Sequence, residues 1–342
     1  MEFNSKYEVA LAILKKLNPD IETTPKNNYE VALAILEAIK NGGGTSSEPL
    51  YLYANNSTSS FNWSNISNIP NIEYSFDGGK TYTKIATTFS ISLPEKTKVY
   101  LRGQNLSGFT QYGRYFTLKG KVSVGGNLGS VINGIDPTKT VNTYDFSYFF
   151  HNLKGDGVDE IFDDFTIPKL DGVILSGFFV ANNILEKVPK FDTSNATSLS
   201  SVFANCSNLN QLPQKMNTSK CTYFITMFNG CGVLATIPTL DLSLATSNVN
   251  LSSMFSGCDK LENITFEGSI NANLDFSSSP LLTFDSVKSI LTAASNTTNT
   301  NSKTLTFSSS LIIKDPNGKL PPIITACVSK GWTFSNFNVE VG

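Results

Sequence analysis

A pattern of apolar residues recurs five times between positions 146 and 265 of this 342-residue chain. Each copy carries apolar residues at i, i+3, i+4 and mostly i+7, and successive copies begin 24 to 29 residues apart. The copies begin at Phe146, Leu175, Leu199, Phe224 and Leu251. This spacing predicts one face of a short helix in each copy. Because a unit this short cannot bury its own apolar face, the copies are predicted to stack on one another.

The repeat period lies within the range of leucine-rich solenoids. In the last four copies a leucine or an equivalent residue follows at fixed offsets, and Pro189, Pro213 and Pro238 end three of those segments. Repeat proteins commonly recognise partners by a broad surface. The pattern therefore favours a binding or structural protein over an enzyme.

Five cysteines occur, and Cys206, Cys231 and Cys258 hold the same i+7 position in successive copies. A buried cysteine behaves as a small apolar residue. The shared position therefore predicts reduced, buried thiols rather than disulfides or a zinc site. No C-x-x-C spacing is present, so we expect no metal.

Composition and charge exclude several classes of function. The formal net charge of -2 lacks the basic excess that nucleic-acid binding by simple electrostatics requires. No run approaches the roughly 20 apolar residues of a membrane span. The opening residues lack the apolar stretch of a secretory signal, because Glu8, Lys15 and Lys16 interrupt it. We expect neither a nucleic-acid partner nor membrane insertion.

The first 40 residues contain a second repeat, in which the octapeptide Tyr7–Leu14 returns unchanged as Tyr29–Leu36. On a helix its apolar residues cover an arc of about 200°, which needs covering from two sides. The duplication predicts anchoring or oligomerisation, and a helical hairpin packed on the protein's own body is the alternative. A Gly/Ser-rich linker follows at 41–47. The predicted docking or oligomerisation residues are Tyr7, Val9, Leu11, Ile13, Leu14, Leu17, Tyr29, Val31, Leu33, Ile35, Leu36 and Ile39.

Residues 50–122 change to a strand-like period. Alternating or β-rich runs occur at 51–53, 72–76, 81–85, 89–93, 98–102 and 115–118, and Asp77-Gly78-Gly79 is a tight-hairpin signal. These features predict a small antiparallel sandwich of immunoglobulin-like type. Trp63, Tyr51 and Tyr53 are candidates for a sugar-stacking patch, although packing in the core or at an edge is the favoured reading.

The final segment is predicted to form helices at 284–294 and 322–330 and strands at 303–308 and 332–337, with Trp332 filling the end of the core. The predicted fold is therefore a multidomain α+β chain. Short amphipathic helices and their linker occupy 1–47, and an immunoglobulin-like β-sandwich occupies 48–122. A leucine-rich-repeat solenoid follows at 123–342, with repeats at 146–265 and a C-terminal cap at 280–342.

Signals of catalysis are weak. His151 is the single histidine, so a Ser-His or Cys-His site requires it, and a helix-surface or interface position is the favoured reading. The acidic run at 156–164 lacks the alternate spacing of a calcium loop, which favours a solvated acidic loop. We therefore predict no catalytic residues, no cofactor and no enzyme activity.

Three segments carry a resemblance to a known family. The block Phe203–Pro213, with its counterparts at 228–238 and 255–261, resembles the BspA-type leucine-rich repeat of Bacteroides surface proteins. The segments 72–79 and 98–103 look like the β-domain that precedes those repeats, and 303–307 with 330–334 looks like their C-terminal unit. The resemblance spans 72–334 and implies a solenoid used in surface display and adhesion.

The duplicated octapeptide looks like the capsid-docking end of phage head fibre proteins, and a virion protein would need no export signal. This resemblance implies a virion protein docked on capsid proteins through residues 1–40, forming homo-oligomers and presenting its solenoid to host-surface or mucosal glycans or proteins. A BspA-type adhesin on the bacterial cell surface is the alternative. A glycan-active enzyme is the remote alternative, because paired carboxylates meet only in the folded chain.

Overall fold

The computed structural model describes residues 48–63, 71–85, 89–105, 108–109, 116–134, 144–151, 156–168, 172–245, 251, 253–297 and 301–341. Contacts divide the chain into two units, Met1–Glu48 and Pro49–Gly342. The duplicated octapeptides, the linker and all twelve predicted docking residues lie outside the described residues. All described residues except Glu48 belong to the second unit.

Short strands dominate this unit. The strands are β1 (Leu50–Ala54), β2 (Ser60–Trp63), β3 (Ile72–Ser75), β4 (Thr83–Lys84), β5 (Phe89–Ser92), β6 (Lys98–Gly103), β7 (Phe116–Lys119), β8 (Lys121–Gly125), β9 (Gly157–Ile161), β10 (Val173–Ile174), β11 (Ala196–Ser198), β12 (Thr236–Asp241), β13 (Asn263–Glu267), β14 (Leu274–Phe276), β15 (Lys303–Phe307), β16 (Ile312–Asp315), β17 (Trp332–Ser335) and β18 (Asn338–Val341). The helices are α1 (Ser130–Asn133), α2 (Phe284–Ser295) and α3 (Leu320–Ser329). None of the described helices is long and apolar enough to cross a membrane.

A six-stranded sheet in the order β4-β3-β6-β1-β8-β9 forms the first part of the unit. Its strands pair antiparallel except β8 and β9, which are parallel. Leu50, Leu52, Val99 and Leu101 point to the buried side, whereas the residues between them point to the opposite side, here called the outer face. The boundary predicted at residue 122 falls within β8, because the distant segment β9 completes this sheet.

A three-stranded antiparallel sheet, β5-β2-β7, accompanies the six-stranded one. Phe61, Ile91 and Leu118 from these strands are buried in the same apolar cluster as Leu52 and Val99. The strand-like runs predicted from the sequence therefore form strands. Their assignment to the immunoglobulin type stays a prediction.

The predicted Asp77 hairpin joins β3 to β4, with Glu73 opposite Lys84. The Asp77 carboxylate closes the turn by accepting hydrogen bonds from the Thr81 hydroxyl at 2.6 Å, the Ser75 hydroxyl at 2.7 Å and the backbone N–H groups of Thr81 and Lys80. These bonds, first of all that from the Thr81 hydroxyl, hold the pKa of Asp77 well below its ordinary value.

A lowered folded-state pKa stabilises the fold above the unfolded pKa, and this contribution is lost as the pH falls toward the folded value. We expect Asp77→Asn to lower the Tm most at pH 7, and the difference from the wild type to shrink below about pH 4. Thermal unfolding from pH 7 to pH 2 measures this, with Glu95→Gln, which removes an exposed carboxylate between β5 and β6, as the control. A Tm difference for Asp77→Asn that stays constant with pH would contradict the assignment.

The repeated segments are not helices, so the prediction of a short helix in each copy is wrong. In the copy that starts at Leu199, the N–H groups of Leu199, Ser201 and Phe203 donate to carbonyl oxygens of the next copy at 2.9, 2.8 and 3.1 Å. Backbone φ is positive at Ser201 and Asn205. The segment is thus a series of tight turns whose hydrogen bonds alternate between its own chain and the neighbouring copy.

This turn geometry still places the side chains at positions i, i+3, i+4 and i+7 in the core. Phenylalanines at i+4 and their later counterparts form a continuous column, with neighbouring ring centroids 4.8 to 6.2 Å apart and nearly parallel. The column runs through Phe150, Phe179, Phe203, Phe228, Phe255, Phe276 and Phe307. Successive copies are therefore packed in register along residues 146–276. The leucine-rich-repeat solenoid itself stays a prediction, because the region is a set of small sheets.

The repeat cysteines are free and buried, as predicted. The thiols of Cys206, Cys231 and Cys258 donate to the carbonyl oxygens of Phe179, Phe203 and Phe228 in the preceding copies, at 3.1 to 3.2 Å. Burial raises the pKa of the Cys206 and Cys258 thiols to about 12.

We expect the native protein to resist Ellman's reagent at pH 8, because a buried thiol with so high a pKa supplies almost no thiolate. All five cysteines should react after unfolding in guanidinium chloride. Time-resolved absorbance measures both rates, and the unfolded protein is the internal control. Rapid labelling of the native protein would contradict the burial of the thiols.

The last part of the unit adds α2, α3 and the three-stranded parallel sheet β14-β15-β17. Thr283 caps α2, its hydroxyl accepting from the Ser286 N–H at 3.4 Å. Trp332 is 2% exposed, and its indole N–H donates to the Ala294 carbonyl oxygen at 2.9 Å. These helices and strands lie close to where the sequence predicts them, and Trp332 is in the core as expected.

Candidate functional site

Side chains between the buried positions of the repeat form an outward surface. Tyr223 and Ile225, on either side of the buried Phe224, are exposed. Ser176 and Ser200, which follow the buried Leu175 and Leu199, are half-buried, whereas Ser198 is only 7% exposed. We define the hydroxyl face as Ser176, Ser198, Ser200, Ser201 and Thr226, flanked by Tyr148, Tyr223 and Ile225.

Hydroxyl groups on this face pair between neighbouring copies. The oxygens of Ser176 and Ser198 lie 2.7 Å apart, and those of Ser201 and Thr226 lie 2.6 Å apart. Ser201 and Thr226 both have positive φ, which is uncommon for residues other than glycine. The turn backbone thus fixes the positions of these hydroxyls. The half-buried hydroxyl oxygens of Ser176, Ser201 and Thr226 keep acceptor capacity for a partner, whereas Ser198 is buried beneath them.

Aromatic and apolar side chains flank the hydroxyls. The Tyr148 ring covers Gly177, where an added Cβ would meet the Tyr148 Cε1 atom at 2.5 Å. Tyr223 is 53% exposed and Ile225 is 40% exposed. Exposed aromatic side chains with ordered hydroxyls beside them are suited to partners that present both apolar surface and hydrogen-bonding groups.

Charge is absent from the three chain segments that supply the hydroxyl groups of this face, whereas the segment of the flanking Tyr148 also carries Asp145 and His151. Residues 173–177, 196–201 and 222–226 contain no acidic or basic side chain. Charged residues concentrate elsewhere in the repeats, as at Glu186, Lys187 and Lys190. The face is therefore matched to an uncharged partner surface.

The catalytic candidates of the sequence do not assemble here. The ring of His151 lies edge-on to Tyr148, and its Nδ1 atom is 2.8 Å from the Tyr148 carbonyl oxygen. The expected helix-surface position of His151 is wrong, because this segment is a turn. Within the described ranges no three His, Cys, Asp or Glu side chains converge as a metal ion would require.

The acidic run is only partly a solvated loop. Residues 157–161 form strand β9, the Asp156 carboxylate accepts from the Gly120 N–H at 2.8 Å, and Asp164 accepts from the Tyr51 hydroxyl at 2.8 Å. Tyr51 is 3% exposed, in agreement with core or edge packing. The side chain of Trp63 lies outside the described residues.

Comparison with known proteins gives one family. The family described as "Mycoplasma protein of unknown function, DUF285" matches residues 174–278, a stretch that contains most of the hydroxyl face. No curated protein and no solved structure matches the chain. The predicted membership of the BspA-type leucine-rich-repeat proteins, and of the phage head fibre proteins, is therefore wrong: the similarity found is to a different family. The short motifs behind those resemblances record the spacing of buried residues, which unrelated repeat proteins can share.

Sequence reasoning placed its site at residues 7–39 and missed the hydroxyl face. The face has no local motif, since its members come from copies 22 to 25 residues apart, as Ser176 with Ser198 and Ser201 with Thr226. A usable signal was the lack of charge at the same offsets in successive copies.

Proposed function

We propose that this protein is a non-catalytic recognition protein that adheres to an uncharged surface through the hydroxyl face. The observation that carries the proposal is the combination of ordered hydroxyl pairs with the exposed Tyr223 and Ile225, in segments that contain no charged residue. The partner class that fits is a neutral glycan or an uncharged protein surface, because both offer hydroxyl or amide groups beside apolar patches.

Packing supports the same proposal. The residues beneath the face belong to the buried column and the buried positions around it, with Phe203, Phe224 and Phe228 each 0% exposed. A surface supported this firmly loses little conformational entropy on binding, which favours recognition by a preformed site.

An array of neutral glycans, charged glycans and proteins tests the proposal with wild type, Tyr223→Ala and Leu244→Ala. Leu244 is 48% exposed and lies outside the face, so it controls for loss of an exposed apolar side chain. We expect uncharged ligands to bind the wild type and the Leu244→Ala variant, and Tyr223→Ala to weaken binding at least roughly tenfold, as an interface anchor does. Binding to charged ligands alone, no binding, or equal binding by Tyr223→Ala would overturn the proposal.

Other expectations from the sequence stay predictions. The virion location, the capsid partners of residues 1–40 and the bacterial-surface alternative have lost the resemblance on which they rested. Homo-oligomerisation, the absence of a nucleic-acid partner and the absence of enzyme activity likewise await measurement. Screening the protein for glycan hydrolysis tests the last of these, and activity abolished by a single Asp or Glu substitution would contradict it.

A further inference from the structure

Cations lie over aromatic rings on the outer face of the six-stranded sheet. The Arg102 guanidinium carbon is 3.8 Å from the Tyr82 ring centroid, and Arg102 also pairs with Glu73 at 2.7 Å. Lys98 Nζ is 4.0 Å from the Tyr51 ring centroid. This sheet surface thus favours a basic group over an aromatic ring, with a carboxylate close by.

The second of these groups is completed by Asp164, which accepts a hydrogen bond from the Tyr51 hydroxyl. Each group therefore joins three partners: an aromatic ring, a basic side chain and a carboxylate. Both basic side chains come from β6, where Lys98 and Arg102 lie on the same side of the strand.

A third set of rings and carboxylates lies beside β9. The Tyr53 and Phe162 rings meet edge to face, with centroids 5.7 Å apart and planes at 75°. A β-bulge places both Asp159 and Glu160 opposite Ser123, whose hydroxyl lies 3.3 Å and 3.4 Å from their carboxylates. We call Tyr53, Phe162, Asp159 and Glu160 the acidic corner.

The acidic corner differs from the other two groups because no basic side chain of the described residues contacts it. Within the part of the chain that the structure describes, no Lys or Arg side chain lies over Tyr53 or Phe162, and none is within 4.0 Å of the Asp159 or Glu160 carboxylates. Lys121 acts on Asp159 only through its longer-range field. Asn55 supplies neutral hydrogen bonds to Asp159 at 2.9 and 3.1 Å.

The side chains of the acidic corner are accessible to a partner molecule. Glu160 is exposed, and Tyr53, Phe162 and Asp159 are half-buried. Burial raises the pKa of Asp159, which means that its negative charge is incompletely compensated by its neighbours. An added positive charge would compensate it.

We propose that the acidic corner binds a lysine side chain presented by a partner protein, with its ammonium group against an aromatic ring, as the ammonium group of Lys98 lies over Tyr51 within the chain. The ammonium group lies against the Tyr53 and Phe162 rings and pairs with the Asp159 and Glu160 carboxylates. This site is separate from the hydroxyl face and does not depend on it.

Titration with a lysine-rich peptide, followed by NMR and calorimetry, tests the proposal. The control ligands are the same peptide with acetylated lysines, choline, glucosamine and a neutral oligosaccharide. We expect binding by the lysine peptide, loss on acetylation, and weakening with added salt because the pair is partly exposed. Binding of choline, glucosamine or the neutral sugar without the lysine peptide would overturn the proposal.

Variants of the chain locate the contact. Glu160→Gln and Tyr53→Ala are each expected to weaken lysine-peptide binding about two- to fivefold, the range for exposed ion pairs and cation–π contacts. Glu95→Gln, which removes the same charge elsewhere on the domain, should leave binding unchanged. If Tyr53→Ala lowers the Tm, its weaker binding could come from partial unfolding, and the Glu160→Gln variant alone then tests the contact. Glu160 is exposed, so its substitution is expected to leave the fold intact. Equal weakening by Glu160→Gln and Glu95→Gln would mean that the peptide responds to the overall negative charge of the protein and not to this site, and would contradict the proposal.

Discussion

Replacing Phe228 with alanine is expected to destabilise the protein by about 3–5 kcal/mol, as for other large core residues. Phe228 is fully buried, and its ring stacks between Phe203 at 5.9 Å and Phe255 at 6.1 Å. Alanine would open a cavity in the middle of the column, and the rings on both sides would lose packing contacts. Because the backbone bonds of residue 228 remain possible in the variant, the loss reports the side chain alone.

Urea unfolding followed by circular dichroism measures this loss. Phe76→Ala is the matched control, because it removes the same side chain at a position that is 45% exposed. The control should lose less than about 1 kcal/mol. A loss of that size for Phe228→Ala would contradict the phenylalanine column.

Substituting Asn182 should produce the second large effect, because this fully buried amide joins the repeat region to β9. Its Oδ1 atom accepts from the Val158 N–H at 2.9 Å, and its Nδ2 atom donates to the Phe179 carbonyl at 2.9 Å and to the Phe150 carbonyl. Asn182→Ala leaves the Val158 N–H and the Phe150 carbonyl unpaired, at about 1–3 kcal/mol for each, whereas the Phe179 carbonyl still accepts from the backbone N–H of residue 182 and from the Cys206 thiol. We expect a total loss of about 2–6 kcal/mol in urea unfolding.

Asn182→Cys is the informative control. Asn182 occupies the i+7 position that Cys206 holds in the next copy, where the thiol donates to the Phe179 carbonyl. A cysteine at 182 can donate in the same way to the Phe150 carbonyl, but its sulfur is only a weak acceptor for the Val158 N–H. It should therefore lose less stability than alanine, and equal losses for the two variants would contradict the role of the amide.

The sequence predicts burial in the repeats better than it predicts their backbone. Apolar residues at i, i+3, i+4 and i+7 fit an inward face in a helix and also in the observed series of turns. Gly177, Gly230 and Gly257 all have positive φ. A glycine within such a short segment is the sequence signal against a helix, because glycine readily adopts the positive φ that a tight turn needs. Strands in residues 50–122 were predictable because alternation has one simple structural meaning.

Long-range features were beyond the sequence. The pairing of β8 with β9 and the bulge that brings Asp159 and Glu160 to Ser123 join segments more than 30 residues apart. Nothing in the local pattern of either segment specifies that register. For the same reason the sequence predicts a loop for the acidic run, where the structure has β9, and predicts a domain boundary at residue 122, which lies within β8.

The most direct test of the proposed recognition function is hydroxyl-radical footprinting with the strongest uncharged ligand from the array. We predict that the bound ligand protects Tyr148, Tyr223 and Ile225 from oxidation while Leu244, Leu281 and Ile312, which are exposed elsewhere, remain unprotected. Protection of Leu244, Leu281 or Ile312, with Tyr223 oxidised as in the free protein, would contradict the hydroxyl face as the binding surface.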